Sequence, residues 1–293
     1  MRKSLRRTLS TTLSQQDLIQ VSNSYDIVGD IAIVRLKQMP EKHSQKIAEA
    51  VMSLHKNVKT VLAQTGAVSG DYRLRELKHI GGENRAVTVH RESGCVFSVD
   101  VGKCYFSPRL SHERMRIAEQ VKNGEVIVNM FAGAGCFSII IAKHSNAEKA
   151  YSIDVNPLAL QYMQENVRLN RVYGKVIPVL GDAKETVEKD LCRVADRVLM
   201  PLPEKALEYV TYALLALKKS GGWVHYYAFE HARKGESAAE KVKLKVSAKL
   251  QSLGVTFEIA FDRIVRATGP NWFQVVLDIK IDPLAEPAMT MPS

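Results

Sequence analysis

The second half of the chain alternates short apolar runs with segments of helical periodicity. From Ser111 onward, each apolar run is long enough for one buried strand, and a segment long enough for a helix follows it. This rhythm predicts an α/β domain with a parallel sheet, closed by an antiparallel pair of strands across a T-G-P turn. The predicted strands are Val126–Asn129, Ala150–Ile153, Val176–Leu180, Asp196–Met200, Trp223–Phe229, Phe257–Ile264 and Trp272–Ile281.

The first half has a different pattern, in which hairpins dominate. Apolar residues alternate on both sides of Gly29 and Asp30, Glu41–His55 has the spacing of an amphipathic helix, and Val58–Leu62 is an apolar strand. A second hairpin crosses an E-S-G turn. These elements predict a small α+β domain without βαβ rhythm. The hairpin strands are expected within Tyr25–Leu36 and over Ala86–His90 and Cys95–Asp100.

These patterns divide the chain into four parts. They are a basic N-terminal arm (residues 1–24), the small α+β domain (25–110), the larger α/β domain (111–282) and a disordered tail (283–293) that is rich in proline. The arm carries basic residues, and Leu5, Leu9 and Leu13 lie at helical spacing. We interpret the arm as a frayed segment that contacts phosphates, with a transit segment as the alternative.

Composition places the chain in a broad class of proteins. With 293 residues, of which 46% are hydrophobic, it can form substantial cores. No apolar run approaches the roughly 20 residues of a membrane span. The four cysteines have no C-x-x-C spacing, and the histidines have no metal-ligand spacing. We therefore expect a soluble cytoplasmic protein that has neither a disulfide framework nor a metal and binds no membrane.

The net charge changes the expected partner. The chain has a formal charge of +10 and an isoelectric point of about 9.4. An excess of this size favours a polyanionic partner, and nucleic acid is the simplest, because lysine and arginine displace the counterions of phosphates. Arg73, Arg75, Lys78 and Arg85, which surround a G-G turn, are the densest basic cluster of the small domain.

A glycine turn carries the first chemical signal. The apolar strand that begins at Val126 runs into F-A-G-A-G-C-F and then directly into a helix. Gly133 and Gly135 leave room for a ligand against the backbone, and the helix start offers unpaired N–H groups. Ser138 stands where a dinucleotide fingerprint has its third glycine, so this spacing fits S-adenosylmethionine better than NAD.

The ends of the following strands extend this signal. Asp154 follows the second strand about twenty residues after the glycine turn, where a carboxylate can accept both ribose hydroxyls. Asp182 follows the third strand, where an adenine amino group would lie, and P-L-P follows the fourth. Because the carboxyl ends of parallel strands share one sheet edge, these residues predict a nucleoside-cofactor site.

Several motifs together resemble one known family. The runs V-G-K-C-Y-F-S-P-R-L-S-H-E-R, F-A-G-A-G-C-F, D-V-N-P and D-R-V-L-M-P-L-P occur in family order between Tyr25 and Ile281. The chain is thus similar to the archaeal and eukaryotic type of tRNA guanine-N1 methyltransferase, which acts at position 37. The resemblance implies a class I (Rossmann-like) methyltransferase domain that uses S-adenosylmethionine, preceded by a small α+β domain that holds the anticodon stem-loop.

The resemblance also implies roles for individual residues. It makes Glu113 the general base and Arg73 the cation that stabilises charge on the target guanine. From the residues alone, Glu113 would be an i,i+3 surface partner of Arg116. The implied substrate-binding residues are Tyr105, Arg109, Pro201, Leu202 and Pro203. The implied cofactor-binding residues are Phe131, Gly133, Gly135, Asp154, Val155, Asn156, Pro157, Asp182 and Ala183.

Three departures from the family pattern bear on the substrate. Asn129 ends the first strand where the family usually has an acid, and Pro201 replaces the asparagine of an N-L-P motif. Proline has no side-chain hydrogen-bonding group, so recognition of the target base is expected to change. Many family members also have an extra N-terminal domain, for which we expect no room before Tyr25.

These departures leave other functions open. A wyosine-biosynthesis enzyme with the same fold transfers a 3-amino-3-carboxypropyl group to a tricyclic base, and a related archaeal branch methylates C7 of the wyosine intermediate at position 37. A third alternative is a basic RNA-binding protein without activity. The intact Gly133, Gly135, Asp154 and Asp182 argue against that third alternative. We expect a monomer that binds the anticodon stem-loop of tRNA and methylates N1 of guanosine 37.

Overall fold

The structure is a computed structural model that describes residues 4–36, 41–66, 70 and 72–284. The first part of the predicted arm is folded into α1 (Leu5–Leu9) and α2 (Gln15–Gln20). Leu5, Leu9 and Leu13 are buried in the core of the small domain. The helical spacing of these leucines is therefore a packing face, and this part of the chain is not the frayed arm that we expected.

The small domain is built on a four-stranded sheet of order β1-β2-β3-β4. Its elements are β1 (Asp26–Val28), β2 (Ile31–Arg35), α3 (Glu41–Leu54), β3 (Thr60–Gln64) and β4 (Leu77–Gly82). The predicted hairpin of β1 and β2 is confirmed. However, β2 and β3 are parallel and α3 connects them, so this domain does contain a βαβ unit, contrary to our expectation. Strand β4 was not predicted from the sequence.

A two-stranded antiparallel hairpin follows, as predicted, formed by β5 (Val87–Glu92) and β6 (Cys95–Asp100). A short 3-10 helix over Pro108–Leu110 then leads into the larger domain. The elements of that domain are α4 (Ser111–Gln120), β7 (Val126–Asn129), α5 (Cys136–His144), β8 (Lys149–Asp154), α6 (Pro157–Leu169), β9 (Val176–Leu180), α7 (Ala183–Lys189), β10 (Arg197–Met200), α8 (Ala206–Ala216), β11 (Gly222–His231), α9 (Ala238–Ser252), β12 (Phe257–Gly269) and β13 (Trp272–Ile281).

The larger domain has a seven-stranded sheet of order β12-β13-β11-β10-β7-β8-β9. Strands β7 to β11 are parallel, and the antiparallel pair of β12 and β13 closes one edge, as predicted. The chain runs from β7 outward to β9 and then returns to the other side of β7 with β10. This reversal opens a crevice at the carboxyl ends of β7 and β10, which is where open α/β sheets bind ligands.

The hairpin of β5 and β6, which our division placed in the small domain, packs against α6. Asn166 Oδ1 accepts a hydrogen bond from the Ser98 N–H at 2.7 Å, and Asn170 Oδ1 accepts one from the Val96 N–H at 2.8 Å. Both asparagines are almost completely buried. Buried hydrogen bonds therefore hold the hairpin against α6. The described residues contain no helix long and apolar enough to cross a membrane. Residues 285–293 of the predicted tail lie outside the described ranges.

Candidate functional site

The glycine turn after β7 has the geometry that its sequence predicts. Gly133 and Gly135 have φ angles of 56° and 85°, which lie in the left-handed region where glycine is favoured. A Cβ atom on Gly135 would also lie 2.7 Å from Cγ of Met163 on α6, so this position is closed to a side chain. The turn thus holds α5 tightly against α6 while its own backbone stays open to the crevice.

Asp154 ties this turn to the end of β8. Its carboxylate accepts hydrogen bonds from the N–H of Gly133 at 2.6 Å and from the N–H of Asn156 at 2.9 Å. Burial raises the pKa of Asp154, and the two backbone donors oppose that shift. The carboxylate is therefore fixed in one orientation beside the crevice, as a hydrogen-bond acceptor for a ligand must be.

Asn156, the next predicted cofactor residue, has a structural position instead. Its Oδ1 accepts from the N–H of Leu158 and caps α6, and its Nδ2 donates to the carbonyl of Lys103 at 2.8 Å. Asn156 is only 3% exposed. It therefore holds the start of α6 against the segment before Tyr105, and it does not line the crevice.

Asp182 lies at the end of β9 and caps α7. Its Oδ1 accepts from the N–H of Lys184 at 2.7 Å, and its Oδ2 accepts from the hydroxyl of Tyr209 at 2.7 Å. Tyr209 comes from α8, and its ring makes an edge contact with Phe131, with centroids 5.2 Å apart. Tyr209 was not predicted from the sequence, because no motif marks it and only the packing of α8 brings it to Asp182.

The first cavity of the crevice, which we call the turn cavity, collects most of the predicted cofactor residues at one place. It is lined by Tyr72, Arg73, Tyr105, Met130, Phe131, Gly133, Asp154, Val155, Gly181, Asp182, Ala183, Pro201, Leu202, Lys205 and Tyr209. The residues predicted from the resemblance that are not part of this lining are Arg109, Glu113, Gly135, Asn156, Pro157 and Pro203.

Asn129, one of the three departures, supports the turn from inside the protein. It is completely buried, its Nδ2 donates to Oγ of Ser138 at 3.1 Å, and its Oδ1 accepts from the N–H of Phe131 at 3.4 Å. Ser138 also accepts from the hydroxyl of Ser152 at 2.6 Å. An uncharged amide suits this position, because a buried carboxylate could not donate to the Ser138 hydroxyl.

A second cavity, the arginine cavity, adjoins the turn cavity. It is lined by Asp26, Arg35, Gln64, Arg73, Arg75, Tyr105, Arg109, Phe229, Arg266, Ala267 and Thr268. Asp26 accepts from Arg109 at 2.6 Å and from Arg75 at 3.2 Å. With five arginines and one carboxylate on its wall, this cavity is suited to an anionic ligand.

Arg73 and Tyr105 line both cavities and form the wall between them. The guanidinium carbon of Arg73 lies 5.0 Å from the centroid of the Tyr105 ring and 5.8 Å from that of Phe229. Arg73 also forms an ion pair with Glu204, in the segment after β10. Its φ angle of 52° is uncommon for a residue other than glycine. The structure thus brings the predicted Arg73 and Tyr105 together on the lining that the two cavities share.

Glu113, the predicted base, is not among the lining residues of either cavity. Its carboxylate is 1% exposed and is bound by Arg116 at 2.7 Å, by the hydroxyl of Tyr227 at 2.8 Å and by Arg263. The i,i+3 pair with Arg116 therefore does form, but it is buried rather than on the surface. Only Arg263 of these donors is substantially exposed, with 41% of its side chain accessible.

The basic cluster of the small domain is largely ion-paired within the protein. Arg85 binds Asp30 at 2.6 Å and Glu83 at 2.7 Å, and hydrogen bonds to these acids raise its pKa further. Arg75 is paired with Asp26. By contrast, Arg35 is exposed on the rim of the arginine cavity and has no partner among the described residues. The crowding of charges in the sequence therefore does not show which of them are available to a ligand.

The doubly wound sheet, the switch-point crevice and the acids at successive strand ends define a class I methyltransferase fold with an N-terminal domain. Residues 88–255 match the TRM5/TYW2 methyltransferase domain, and residues 5–85 match the TYW2 N-terminal domain. The chain belongs to the TRM5/TYW2 family of methyltransferases.

Two curated relatives and one solved structure show how far the similarity extends. The chain is 38% identical over 258 residues to the tRNA (guanine(37)-N(1))-methyltransferase Trm5b of Pyrococcus abyssi, covering 88% of this chain and 74% of that protein. It is 39% identical over 267 residues to the tRNA 4-demethylwyosine(37)-methyltransferase Taw21 of Saccharolobus solfataricus, covering 90% and 96%. A structure described as the complex of aTrm5 and tRNALeu superposes with a TM-score of 0.82 at 36% identity, covering 96% of this chain and 79% of that one.

Proposed function

We propose that this protein methylates N1 of guanosine at position 37 of tRNA, with S-adenosylmethionine as the methyl donor. The observation that carries the proposal is the wall of Arg73 and Tyr105, which separates a cavity lined by two carboxylates from a cavity lined by five arginines. A cationic nucleoside cofactor suits the first cavity, and an RNA phosphate suits the second. The family of the chain supports the same assignment.

The lining of the turn cavity fits S-adenosylmethionine. Asp154 offers acceptors for ribose hydroxyls, Asp182 offers an acceptor near the β9 end, and Phe131 offers an apolar surface. A sulfonium cation is attracted to the carboxylates of Asp154 and Asp182 on this lining. When bound, S-adenosylmethionine supplies an electrophilic methyl group on sulfur.

The arginine cavity and the net charge of +10 support tRNA as the partner. Arginine presents planar donors that match phosphate geometry, and each neutralised phosphate releases counterions. Arg109 lines this cavity beside Tyr105, in the place implied for a substrate-binding residue. We propose that the anticodon stem-loop lies over this face, so that the target base can enter beside Tyr105.

The chemistry explains why an acid and a cation are needed. Guanine N1 carries a proton at neutral pH, so its lone pair is available to attack a methyl carbon only when that proton is removed. Glu113 is the proposed base, and Arg73 is the proposed donor to O6, where negative charge develops as the proton leaves. The N1–carbon bond then forms as the carbon–sulfur bond breaks, and the electron pair remains on sulfur.

The structure adds one requirement to this assignment. The Glu113 carboxylate is 1% exposed and its three donors surround it, so the target base can reach it only when one of them moves aside. Arg116 and Tyr227 are held inside the larger domain, while Arg263 is the exposed partner. We propose that the incoming tRNA displaces Arg263, whose positive charge can then pair with an RNA phosphate.

A second candidate is C7 methylation of the tricyclic wyosine intermediate at the same position. Two observations favour it: Pro201 and Leu202 add apolar side chains to the lining of the turn cavity, and the match to Taw21 covers 96% of that relative. An apolar wall suits a larger base that makes fewer edge hydrogen bonds. Transfer of a 3-amino-3-carboxypropyl group from the same cofactor is the outcome that would exclude both methylations.

One experiment separates these functions. The purified protein is incubated with S-adenosylmethionine and either an unmodified tRNA transcript or tRNA carrying the tricyclic intermediate, and the nucleosides are identified by mass spectrometry. N1-methylguanosine from the transcript supports the first function. A methyl group found only on the tricyclic base supports the second. Absence of any product, together with no cofactor binding in calorimetry, would indicate a non-catalytic RNA-binding protein.

We further propose a cytoplasmic monomer. Both cavities are built from one chain, so no second subunit is needed to complete the site. The four cysteines are unpaired, which suits a reducing compartment. Sedimentation velocity measures the oligomeric state directly, and a stable dimer at micromolar concentration would contradict the proposed monomer.

A further inference from the structure

Arg266 on β12 contacts the hydroxyl group of Tyr105. Its Nη2 donates a hydrogen bond to the Tyr105 hydroxyl oxygen at 3.1 Å. A guanidinium group has donors but no acceptor, so the tyrosine oxygen must be the acceptor in this pair. The hydroxyl proton of Tyr105 is consequently directed away from Arg266.

Arg266 is itself held by two buried side chains. Its Nε donates to Oε1 of Gln274 at 2.7 Å, and its Nη1 donates to Oγ of Ser107 at 2.8 Å. Gln274 is 2% exposed and Ser107 is completely buried. The guanidinium plane is therefore fixed at three points, and it can act as a rigid donor to Tyr105.

The Tyr105 ring is fixed on its face as well. Arg73 stacks over it at 5.0 Å, on the wall that the two cavities share. Among the described residues, none accepts the hydroxyl proton of Tyr105. The Tyr105 hydroxyl is therefore available to donate a hydrogen bond to a ligand that contacts this wall, next to the guanidinium of Arg73.

We propose that Arg266 is a positioning residue that makes Tyr105 a hydrogen-bond donor to the 6-oxo group of the target base. This inference rests on the proposed function and specifies which bases the site accepts. A 6-oxopurine presents an acceptor to Tyr105 and Arg73. A 6-amino base presents a donor instead, so its amino group, Tyr105 and Arg73 would all lack an acceptor. The free-energy cost of unpaired donors in a desolvated site discriminates strongly against such a base.

A double-mutant cycle tests the coupling. Single-turnover transfer is measured for the wild type, Arg266→Met, Tyr105→Phe and the double variant, on the tRNA that the wild type methylates. We expect each single substitution to slow transfer by about 10-fold to 100-fold, and the double variant to be no slower than the slower single one. Losses that multiply, or an unchanged rate in Arg266→Met, would overturn the proposal.

Two further variants distinguish a positioning role of Arg266 from an effect on folding and from a general effect of positive charge. Arg266→Lys keeps the charge but cannot donate to Gln274, Ser107 and Tyr105 together, so we expect an intermediate rate. Lys280→Met removes one positive charge from the exposed side of β13 and should transfer at the wild-type rate. Loss of cofactor binding in Arg266→Met and Arg266→Lys together would assign Arg266 a purely structural role.

A binding measurement tests base selection independently of catalysis. Anticodon stem-loops carry guanosine, which has the 6-oxo group, or 2-aminopurine, which lacks it and keeps the 2-amino group, at the target position. The wild type should bind the guanosine stem-loop about 3-fold to 10-fold more tightly, and Arg266→Met and Tyr105→Phe should bind both equally. Equal binding by the wild type would refute the inference. Because this assay needs no methyl transfer, its result is independent of whether the proposed reaction occurs.

Discussion

The carboxylate of Asp154 accepts a hydrogen bond from the backbone N–H of Gly133 at 2.6 Å, although 21 residues separate them in the chain. This bond joins the end of β8 to the glycine turn after β7. The acceptor and the open backbone of the turn are thereby held at one side of the turn cavity. The Asp154 carboxylate and the backbone of the turn can therefore contact a bound ligand without any rearrangement of the sheet.

Asp154→Ala should weaken the binding of S-adenosylmethionine by about 1–3 kcal/mol, because charge-assisted hydrogen bonds to the ribose are lost. Isothermal titration calorimetry measures the affinity. Asp190→Ala, which removes an exposed acid after α7, is the matched control and should bind as the wild type does. Unchanged affinity in Asp154→Ala would place the cofactor elsewhere.

Glu113→Gln should lower the single-turnover rate of methyl transfer by about 10²–10⁴-fold, while cofactor and tRNA affinities stay nearly intact. The loss should shrink as pH rises, because above the pKa of guanine N1 the base arrives deprotonated. Arg73→Ala should stay impaired at high pH, since O6 still carries charge. Glu119→Gln on the exposed side of α4 is the control. A wild-type rate in Glu113→Gln at neutral pH would remove Glu113 from the mechanism.

Arg35→Ala should make tRNA binding less dependent on salt. Arg35 is exposed at the arginine cavity, so its contact with a phosphate would release counterions. The slope of log affinity against log salt concentration should fall by about 0.7–0.9 for the loss of one phosphate contact. Filter binding over a salt series measures it, with Lys280→Ala as the control of equal charge. A slope equal to that of the wild type would exclude Arg35 from the interface.

Asp278→Asn should destabilise the larger domain by about 3–5 kcal/mol at neutral pH, because a buried charge network loses its acid. Asp278 is 2% exposed and accepts from His225 at 2.6 Å, from Gln120 at 3.0 Å and from Arg116. Burial alone raises the pKa of Asp278, but the bonds from His225 and Arg116 outweigh it and hold that pKa well below the ordinary 3.8.

The sign of the pH dependence follows from that shift. A carboxyl whose pKa is lowered by folding contributes stability above its unfolded pKa and loses it as pH falls toward the folded pKa. The difference in unfolding free energy between wild type and Asp278→Asn should therefore narrow below about pH 3.8. Urea unfolding at several pH values measures it, with Asp190→Asn as an exposed control. A difference in unfolding free energy that stays the same at all these pH values would contradict the stabilising role of the ionised Asp278.

Pro201→Asn should shift the preference toward guanosine 37. An asparagine at this part of the turn cavity adds a donor and an acceptor for a base edge, each hydrogen bond contributing about 0.5–1.5 kcal/mol. The measure is the ratio of methylated product from unmodified and tricyclic-base tRNA in one reaction. If this product ratio is unchanged in Pro201→Asn, the residue at position 201 does not contact the target base.

The glycine turn, the parallel strands and the acids that end them were predictable from the amino-acid sequence. Each of these depends on local signals: Gly133 and Gly135 are needed for their left-handed backbone, and period and composition mark β7, β8 and β9. Once the strands are parallel, Asp154 and Asp182 must share one sheet edge. The turn cavity was therefore predictable from patterns that span a few residues.

The other side chains of the site are brought there by long-range packing and could not be predicted from the sequence. Tyr209 meets Asp182 because α8 packs beside α7, and Arg266 meets Tyr105 because β12 returns to the sheet edge 161 residues later. Tertiary packing likewise placed Arg263 and Tyr227 on Glu113, and buried the leucines of the predicted arm. Such contacts join residues far apart in the chain and leave no periodicity, since a side chain's partner is fixed by how elements pack and not by its neighbours in sequence.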